Sequence, residues 1–222
     1  MTPISQRRWR DLARAPLVIG LFGLIAASGV FVAIAEDVAT ADSLTQLDLA
    51  VVQWFHARTY PAMTEWMRWV SDLHGVMAVS IYVSLLALYL LWKREWTRLV
   101  FLVSVVPGGM LLNETMKHLF KRSRPNLDHA LLTLPSYSFP SGHVAGATLF
   151  YGVLAVMFMA TTDDWRRRAL IASVALILVM LVAMSRLYLG VHYLSDTLAA
   201  FTEACAWLSL CLLGMQRYWR TT

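Results

Sequence analysis

Residues 117–125 read KHLFKRSRP, and two more polar motifs follow, PSGH at 140–143 and SRLYLGVHYLSD at 185–196. All three are set among long apolar stretches, which decide the fold. Lys, Arg, Ser, Gly, His and Asp are residue types that bind a phosphate group and move protons to and from it. Phosphoryl chemistry at a membrane is therefore the first hypothesis for this chain.

The composition is that of an integral membrane protein. Of the 222 residues 58% are hydrophobic, and the mean hydropathy is +0.56, whereas soluble domains are about 45–50% apolar. The formal net charge is +5, but only 15% of residues are charged, and no basic stripe with interleaved aromatic residues stands clear of an apolar segment. We therefore expect no nucleic-acid partner and treat residues 1–222 as a single membrane domain with its motifs at 117–196.

Hydrophobic segments predict an all-α fold of six transmembrane helices in a bundle. A helix needs about 20 mostly apolar residues to cross the hydrocarbon core. Six segments qualify: 15–35, 75–92, 97–116, 142–160, 168–187 and 193–215. The first also resembles a secretory signal, because arginines precede it and AIA at 33–35 resembles a cleavage site. Its apolar run is longer than a usual signal core, which favours a retained anchor.

Basic residues predict the orientation of the bundle. They cluster in alternate connections, at Arg7, Arg8, Arg10 and Arg14, then Lys93, Arg94 and Arg98, then Arg166, Arg167 and Arg168, then Arg217 and Arg220. By the positive-inside rule both termini are cytoplasmic. The three polar motifs then face the periplasm or outer leaflet. By analogy, the short Arg-rich inner loops and compact length suggest a bacterial inner-membrane protein.

The region between the first two spans, residues 37–73, is too polar to cross a membrane. Apolar residues recur in it at helical spacing in two groups separated by Pro61: Leu44, Leu47, Val51 and Phe55, then Met63, Trp66, Met67 and Val70. This pattern predicts two short amphipathic helices on the outer side. They either lie on the leaflet or pack over the bundle as a lid.

Several motif residues are suited to holding a phosphate. Lys117 supplies a point charge, while Arg124 and Arg186 supply planar forks that match phosphate oxygens. PSGH begins an apolar segment, so the backbone N–H groups of Ser141, Gly142 and His143 would point out from a helix N-terminus. Such a terminus binds anions. Ser141 is expected both to cap this helix and to donate its hydroxyl.

The third motif indicates a nucleophile with a supporting acid. His192 and Asp196 are four residues apart, which places them on one face of a helix. A carboxylate that accepts the proton of one imidazole nitrogen leaves the other nitrogen unprotonated and aimed. His192 is then the candidate nucleophile, and His143 is the candidate acid that protonates the departing alkoxide. Singly, such residues could instead snorkel to the interface or form buried polar pairs, but their gathering on one side of the bilayer favours a site.

The motifs resemble those of the type 2 phosphatidic acid phosphatase family, the membrane branch of the acid phosphatase and vanadium haloperoxidase superfamily. That family is marked by Lys, six residues, Arg-Pro; then Pro-Ser-Gly-His; then Ser-Arg, five residues, His, three residues, Asp. All three elements occur here in that order.

The resemblance implies an enzyme in which His192 is transiently phosphorylated, Asp196 orients it, and His143 protonates the leaving group and later activates water. It also implies phosphate binding without a metal or cofactor. The phosphate-binding residues would be Lys117, Arg124, Ser141, Gly142 and Arg186. Outside the pattern, Lys121 and Arg122 are expected to contact lipid headgroups or the second phosphate of a diphosphate, and His118 is given no role.

The function expected is hydrolysis of a membrane lipid phosphate, with phosphatidate, phosphatidylglycerophosphate and undecaprenyl diphosphate as candidate substrates. Three alternatives stay open: a lipid phosphotransferase on the same scaffold, a channel or scramblase lined by the charges, and a zinc site made of His143, His192 and Asp196. Apolar helix faces accept many chains, so the sequence selects neither the lipid nor an oligomeric state.

Overall fold

The structure, a computed structural model, describes residues 17–40, 43–127, 131–132 and 134–221. Every regular element in these ranges is an α-helix, as the sequence predicts. The helices are α1 (Leu17–Thr40), α2 (Ser43–His56), α3 (Pro61–Leu73), α4 (Val76–Trp92), α5 (Trp96–Phe120), α6 (Gly142–Met159), α7 (Trp165–Tyr188) and α8 (Leu194–Thr221). The basic cluster at 7–14, used above for orientation, lies outside these ranges.

Five helices, α1, α5, α6, α7 and α8, are long and apolar enough to cross a membrane. The number rises to six when α3 and α4 are taken as one span, bent by 43°. Helix α4 alone has only 17 residues, slightly fewer than the about 20 that a straight crossing needs. The predicted all-α, multi-pass fold is confirmed, with a bent helix pair in place of the second straight span.

The outer surfaces of these helices are apolar. Phe22 on α1, Leu111 on α5 and Ile177 on α7 are 72%, 70% and 65% exposed. Large hydrophobic side chains in such numbers are costly in water but not in hydrocarbon. The inward surfaces instead form close-packed clusters, the largest of which joins α4, α5, α6 and α8.

Glycines allow the central helices to approach one another. A Cβ at Gly109 of α5 would lie 2.6 Å from Leu149 of α6 and 2.9 Å from Trp207 of α8. Leu149 is fully buried, so its side chain has little room to move. This three-helix contact fixes the relative positions of α5, α6 and α8. The first motif lies at the end of α5, the second at the start of α6, and the last residues of the third at the start of α8.

Both predicted amphipathic helices are present, as α2 and α3, and both pack against the bundle at the end where the motifs lie. In α2, Leu47 is 48% exposed, whereas Asp48 and Val52 are buried. In α3, Trp66 is likewise 48% exposed, while Met67 and Val70 are buried. The buried Asp48 carboxylate attaches α2 to the bundle, because it accepts hydrogen bonds from the Ser195 N–H and from Arg122.

Four helix ends bring the motifs together. Helix α5 ends before Lys121, whose φ of 48° is left-handed and stops the helix. Helix α7 ends close to Gly190, whose φ of 69° allows the chain to reverse toward α8. The N-termini of α6 and α8 meet where the Ser141 amide donates to the Asp196 carbonyl at 3.0 Å, and Arg122, just after α5, pairs with Asp196 at 2.7 Å. Antiparallel neighbours thus place all three motifs at one end of the bundle.

Replacing Gly109 with Ala tests the packing of the central helices. We expect a lower Tm in detergent, because the added methyl must displace Leu149 or Trp207, and overpacking costs about 1–3 kcal/mol. Gly29→Ala is the matched control, since nothing lies within 4 Å of a Cβ at that position. Equal Tm values for the two variants would contradict the tight contact.

Candidate active site

His192 lies in the connection between α7 and α8 and is 1% exposed. Its Nδ1 is 3.2 Å from Oδ2 of Asp196, in the first turn of α8. The same carboxylate oxygen accepts the backbone N–H of Tyr193 at 2.9 Å. The two residues that the third motif predicts as nucleophile and supporting acid are therefore in contact.

Arg124 lies on the other side of the His192 ring. Its Nη1 is 3.1 Å from Nε2 of His192 and also donates to the carbonyl of Val191 at 2.7 Å. A guanidinium has donors only, so this contact requires the Nε2 atom to accept. Nδ1 then carries the proton, which it donates to Asp196. The lone pair of Nε2 then points toward the guanidinium, and Arg124 would have to release it before this nitrogen could attack a phosphate.

The electrostatic surroundings keep the imidazole neutral. Burial lowers the pKa of His192 well below its ordinary value, and the positive charges of Arg186 and Arg124 lower it further. A neutral imidazole retains the Nε2 lone pair at physiological pH.

Three buried donor atoms close to these residues have no hydrogen-bond partner in the described part of the chain. They are Oγ of Ser141 and the Nε and Nη2 atoms of Arg186. Arg186 is 1% exposed, and only its Nη1 is engaged, by Oγ of Ser71 on α3. Buried donors are normally satisfied, so this set is suited to an incoming acceptor such as a phosphate oxygen.

Lys117 and Gly142 adjoin the same space. Lys117, in the last turn of α5, is 7% exposed, and its Nζ lies 3.3 Å from the position of a Cβ at Gly142. The absence of that Cβ lets the ammonium approach the first turn of α6. Any larger residue at this position would push the lysine away.

One expectation about Ser141 was wrong. Ser141 is the N-cap residue of α6, but its side chain makes no capping hydrogen bond. A second expectation was wrong as well, because the Ser141 backbone N–H donates to the Asp196 carbonyl and does not point outward to an anion. The Ser141 hydroxyl has no partner among the described residues.

His143 follows in the first turn of α6 and is partly exposed, unlike His192. No hydrogen bond joins its side chain to another described residue. Its Nε2 faces the turn between α3 and α4, 3.7 Å from a Cβ position at Gly75. An unengaged, partly exposed imidazole at the rim is positioned to exchange a proton with a bound molecule.

The expectation for Arg122 was also wrong. Its guanidinium forms ion pairs with Asp196 at 2.7 Å and Asp48 at 2.8 Å, and it lies over the Tyr193 ring at 4.2 Å. It is therefore held by protein carboxylates and not available to a headgroup or second phosphate. Lys121, beside it, is exposed.

Sequence reasoning missed Asp48, Ser71 and Ser195 altogether. Asp48 and Ser71 belong to helices predicted from their apolar residues alone, and Ser195 lies inside the third motif at a position the pattern leaves unspecified. The sequence pattern that could have indicated Asp48 and Ser71 is their position as polar residues next to the apolar residues of the two amphipathic helices.

The described residues contain no group of three or more His, Cys, Asp or Glu side chains able to hold a metal ion. His143, His192 and Asp196, the set considered for zinc, do not form such a group.

A family profile described as the PAP2 superfamily matches residues 98–220, more than half of the chain. The chain belongs to the PAP2 superfamily. The matched region contains all three motifs. It also contains helices α5 to α8, except the first two residues of α5 and the last residue of α8.

Two curated proteins are similar in sequence. Phosphatidylglycerophosphatase B of Bacillus subtilis (strain 168) is 32% identical over 112 residues, which cover 50% of this chain and 54% of that protein. This chain thus spans about half the length of that relative. An undecaprenyl-diphosphatase of Sulfolobus acidocaldarius is 29% identical over 152 residues, 63% of this chain and 69% of that protein.

Solved structures extend the likeness to the whole PAP2 fold. The transmembrane PAP2 type phosphatidylglycerolphosphate phosphatase from Bacillus subtilis superposes with a TM-score of 0.74 at 25% identity, covering 90% of this chain and 96% of that one. LpxE of Aquifex aeolicus superposes with a TM-score of 0.57 at 21% identity, covering 74% and 94%. The second likeness is one of fold.

The tautomer of His192 can be measured. In protein labelled with ¹⁵N-histidine, with His192→Gln used for assignment, we expect a protonated Nδ1 and an unprotonated Nε2. The ring should stay neutral between pH 7.5 and 6, because its pKa lies below the about 6.5 of an ordinary histidine. A ring that gains its second proton in this interval would contradict the description.

Proposed function

We propose that this protein is a membrane lipid phosphatase that acts through a phosphohistidine at His192. The observation that carries the proposal is the set of unpartnered buried donors, Ser141 Oγ and Arg186 Nε and Nη2, next to a neutral, oriented imidazole. Donors fixed in advance around a developing negative charge are the main source of catalysis in phosphoryl transfer. Membership of the PAP2 superfamily and the names of the curated relatives support the same activity.

In the first step, the phosphate is held by Lys117, Arg124, Arg186, the Ser141 hydroxyl and the N–H groups of Gly142 and His143. Nε2 of His192 attacks phosphorus, a P–N bond forms, and the P–O bond to the lipid breaks. Protonated His143 gives its proton to the departing oxygen. Asp196 stabilises the positive charge that His192 acquires.

In the second step, water attacks the phosphorus atom of the phosphohistidine. His143, now neutral, accepts the proton of this water, and the P–N bond breaks with its electrons returning to Nε2. Inorganic phosphate leaves, and both histidines return to their starting protonation states. If a second lipid took the place of water, the same intermediate would serve a phosphotransferase.

The pairing of Arg122 favours a lipid phosphate monoester over a prenyl diphosphate. Lys121 and Arg122 were the two candidates for binding a second phosphate. Arg122 is engaged by two carboxylates, which leaves the exposed Lys121. The unpartnered buried donors described above, Ser141 Oγ and Arg186 Nε and Nη2, suit a single phosphate group. Phosphatidylglycerophosphate, named by the first relative, is the monoester to test first.

We further propose that the site faces the periplasm of a bacterial inner membrane, with both termini in the cytoplasm. The basic connections around Lys93–Arg94 and Arg166–Arg168 lie at the helix ends opposite the motifs, and such loops remain in the cytoplasm.

Phosphate release tests the activity directly. Detergent-purified protein should release inorganic phosphate from phosphatidylglycerophosphate or phosphatidate and more slowly from undecaprenyl diphosphate, while His192→Ala should release none because it lacks the nucleophile. His118→Ala is the matched control, since His118 is exposed on α5 and pairs with Glu114. Product lipids should be analysed together with phosphate. A new phospholipid with little free phosphate would indicate a phosphotransferase, and a fully active His192→Ala protein would refute the proposal.

The role of His143 gives a second prediction. An alkoxide leaving group needs a proton, whereas prenyl phosphate leaves as a stable anion. His143→Ala should therefore slow monoester hydrolysis by about 10²–10⁴-fold and diphosphate hydrolysis much less. The measurement is kcat on both substrates with one preparation. Equal losses on the two would remove the acid role.

A further inference from the structure

Asp196 is held on both of its carboxylate oxygens. Oδ2 faces His192 and the Tyr193 N–H, as described above, while Oδ1 accepts a hydrogen bond from Nη1 of Arg122 at 2.7 Å. The Asp196 side chain is fully buried, and that of Arg122 is 13% exposed. A buried carboxylate with hydrogen bonds on both oxygens cannot turn about its own axis without losing a charged hydrogen bond.

Arg122 is in turn held from the opposite side by α2. Its Nη2 donates to Oδ2 of Asp48 at 2.8 Å, and its Nη1 also donates to Oγ of Ser195 at 2.7 Å. Asp48 is fully buried and accepts the Ser195 N–H at 2.8 Å. The guanidinium therefore lies between two buried carboxylates, one on α2 and one at the start of α8.

The charge and shape of an arginine side chain suit this arrangement. Two buried carboxylates share one guanidinium, and a planar fork is the group that can donate to two acceptors in fixed directions. Removing Arg122 would leave both Asp48 and Asp196 without their cation in a dry environment, which is strongly unfavourable. The carboxylate would then take a proton, turn toward another donor, or both.

We propose that Arg122 and Asp48 are positioning residues for the nucleophile: Arg122 fixes the Asp196 carboxylate so that Oδ2 faces Nδ1 of His192, and Asp48 fixes Arg122. This inference rests on the proposed function, because it assigns a task to His192. It gives α2 a part in catalysis that runs through Arg122. Arg122 acts on His192 through Asp196, and Asp48 acts through Arg122.

A purely structural role, fastening α2 to the bundle, predicts different results. If Arg122 only stabilises the fold, its loss lowers Tm and the active fraction but leaves kcat per folded molecule unchanged. If it acts through Asp196, its loss lowers kcat with little change in KM, and the effect disappears once the carboxylate itself is gone.

The experiment is a double-mutant cycle on the full chain. We expect Arg122→Met to lower kcat by about 10–100-fold, the size found when partners that orient a site ligand are removed, with KM for phosphatidylglycerophosphate within about threefold. In an Asp196→Asn background the same substitution should cost less than about twofold, since no carboxylate is left to position. Asp48→Asn should lower kcat in the same direction but less. Arg168→Met is the matched control, because Arg168 pairs with Asp163 at the other end of the bundle.

A second readout is independent of activity. Histidine ¹⁵N spectra of Arg122→Met should show His192 losing its single Nδ1-protonated tautomer, while Arg168→Met keeps it. Wild-type protein that hydrolyses no lipid phosphate would refute the proposed function, and the spectra would still decide the positioning role. If Arg122→Met does not fold, Asp48→Asn carries both measurements. An equal loss of kcat with and without the Asp196 carboxylate, or an unchanged His192 tautomer, overturns the inference.

Discussion

The three polar motifs meet at Asp196. Its backbone carbonyl accepts the Ser141 N–H of the second motif, and its carboxylate accepts hydrogen bonds from Arg122 of the first and His192 of the third. These contacts join the end of α5, the start of α6 and the start of α8 at a single residue. A buried carboxylate without compensating partners would be very unfavourable. The surrounding polar residues are therefore needed to stabilise Asp196 itself, whatever else they bind.

The bilayer explains why the polar groups collect at one end. Along the spans, outward side chains are apolar and inward ones pack closely around glycines such as Gly109 and Gly152. Charged groups are tolerated near helix ends, where water and other polar groups are close. Antiparallel helices with short connections bring two C-terminal and two N-terminal ends together. The C-terminal ends of α5 and α7 carry cations, Lys117 and Arg186, which also suit the helix dipole.

Whether a contact could be predicted from the sequence depends on how far apart the two residues lie along the chain. The spans followed from apolar length, and the contact of His192 with Asp196 followed from a spacing of four residues within the chain. The partners of Arg122 did not, because Asp48 lies 74 residues away in the chain and belongs to a helix that was predicted from its apolar residues alone. An amphipathic pattern treats every carboxylate as facing outward. In α2 the Asp48 carboxylate instead faces inward and accepts hydrogen bonds from Ser195 and Arg122, while Leu47 is exposed.

The environments of the two histidines give them roles that are not interchangeable. His192 is buried, and each ring nitrogen already has a partner, Asp196 on one side and Arg124 on the other. Those partners fix a lone pair in place but leave no path for the ring to exchange protons with solvent. His143 is partly exposed and unengaged among the described residues, which suits proton transfer and gives no such fixed orientation. A nucleophile needs direction, and an acid needs a route for protons. Under the proposed mechanism, the packing around the two rings therefore assigns the chemistry as firmly as the motifs do.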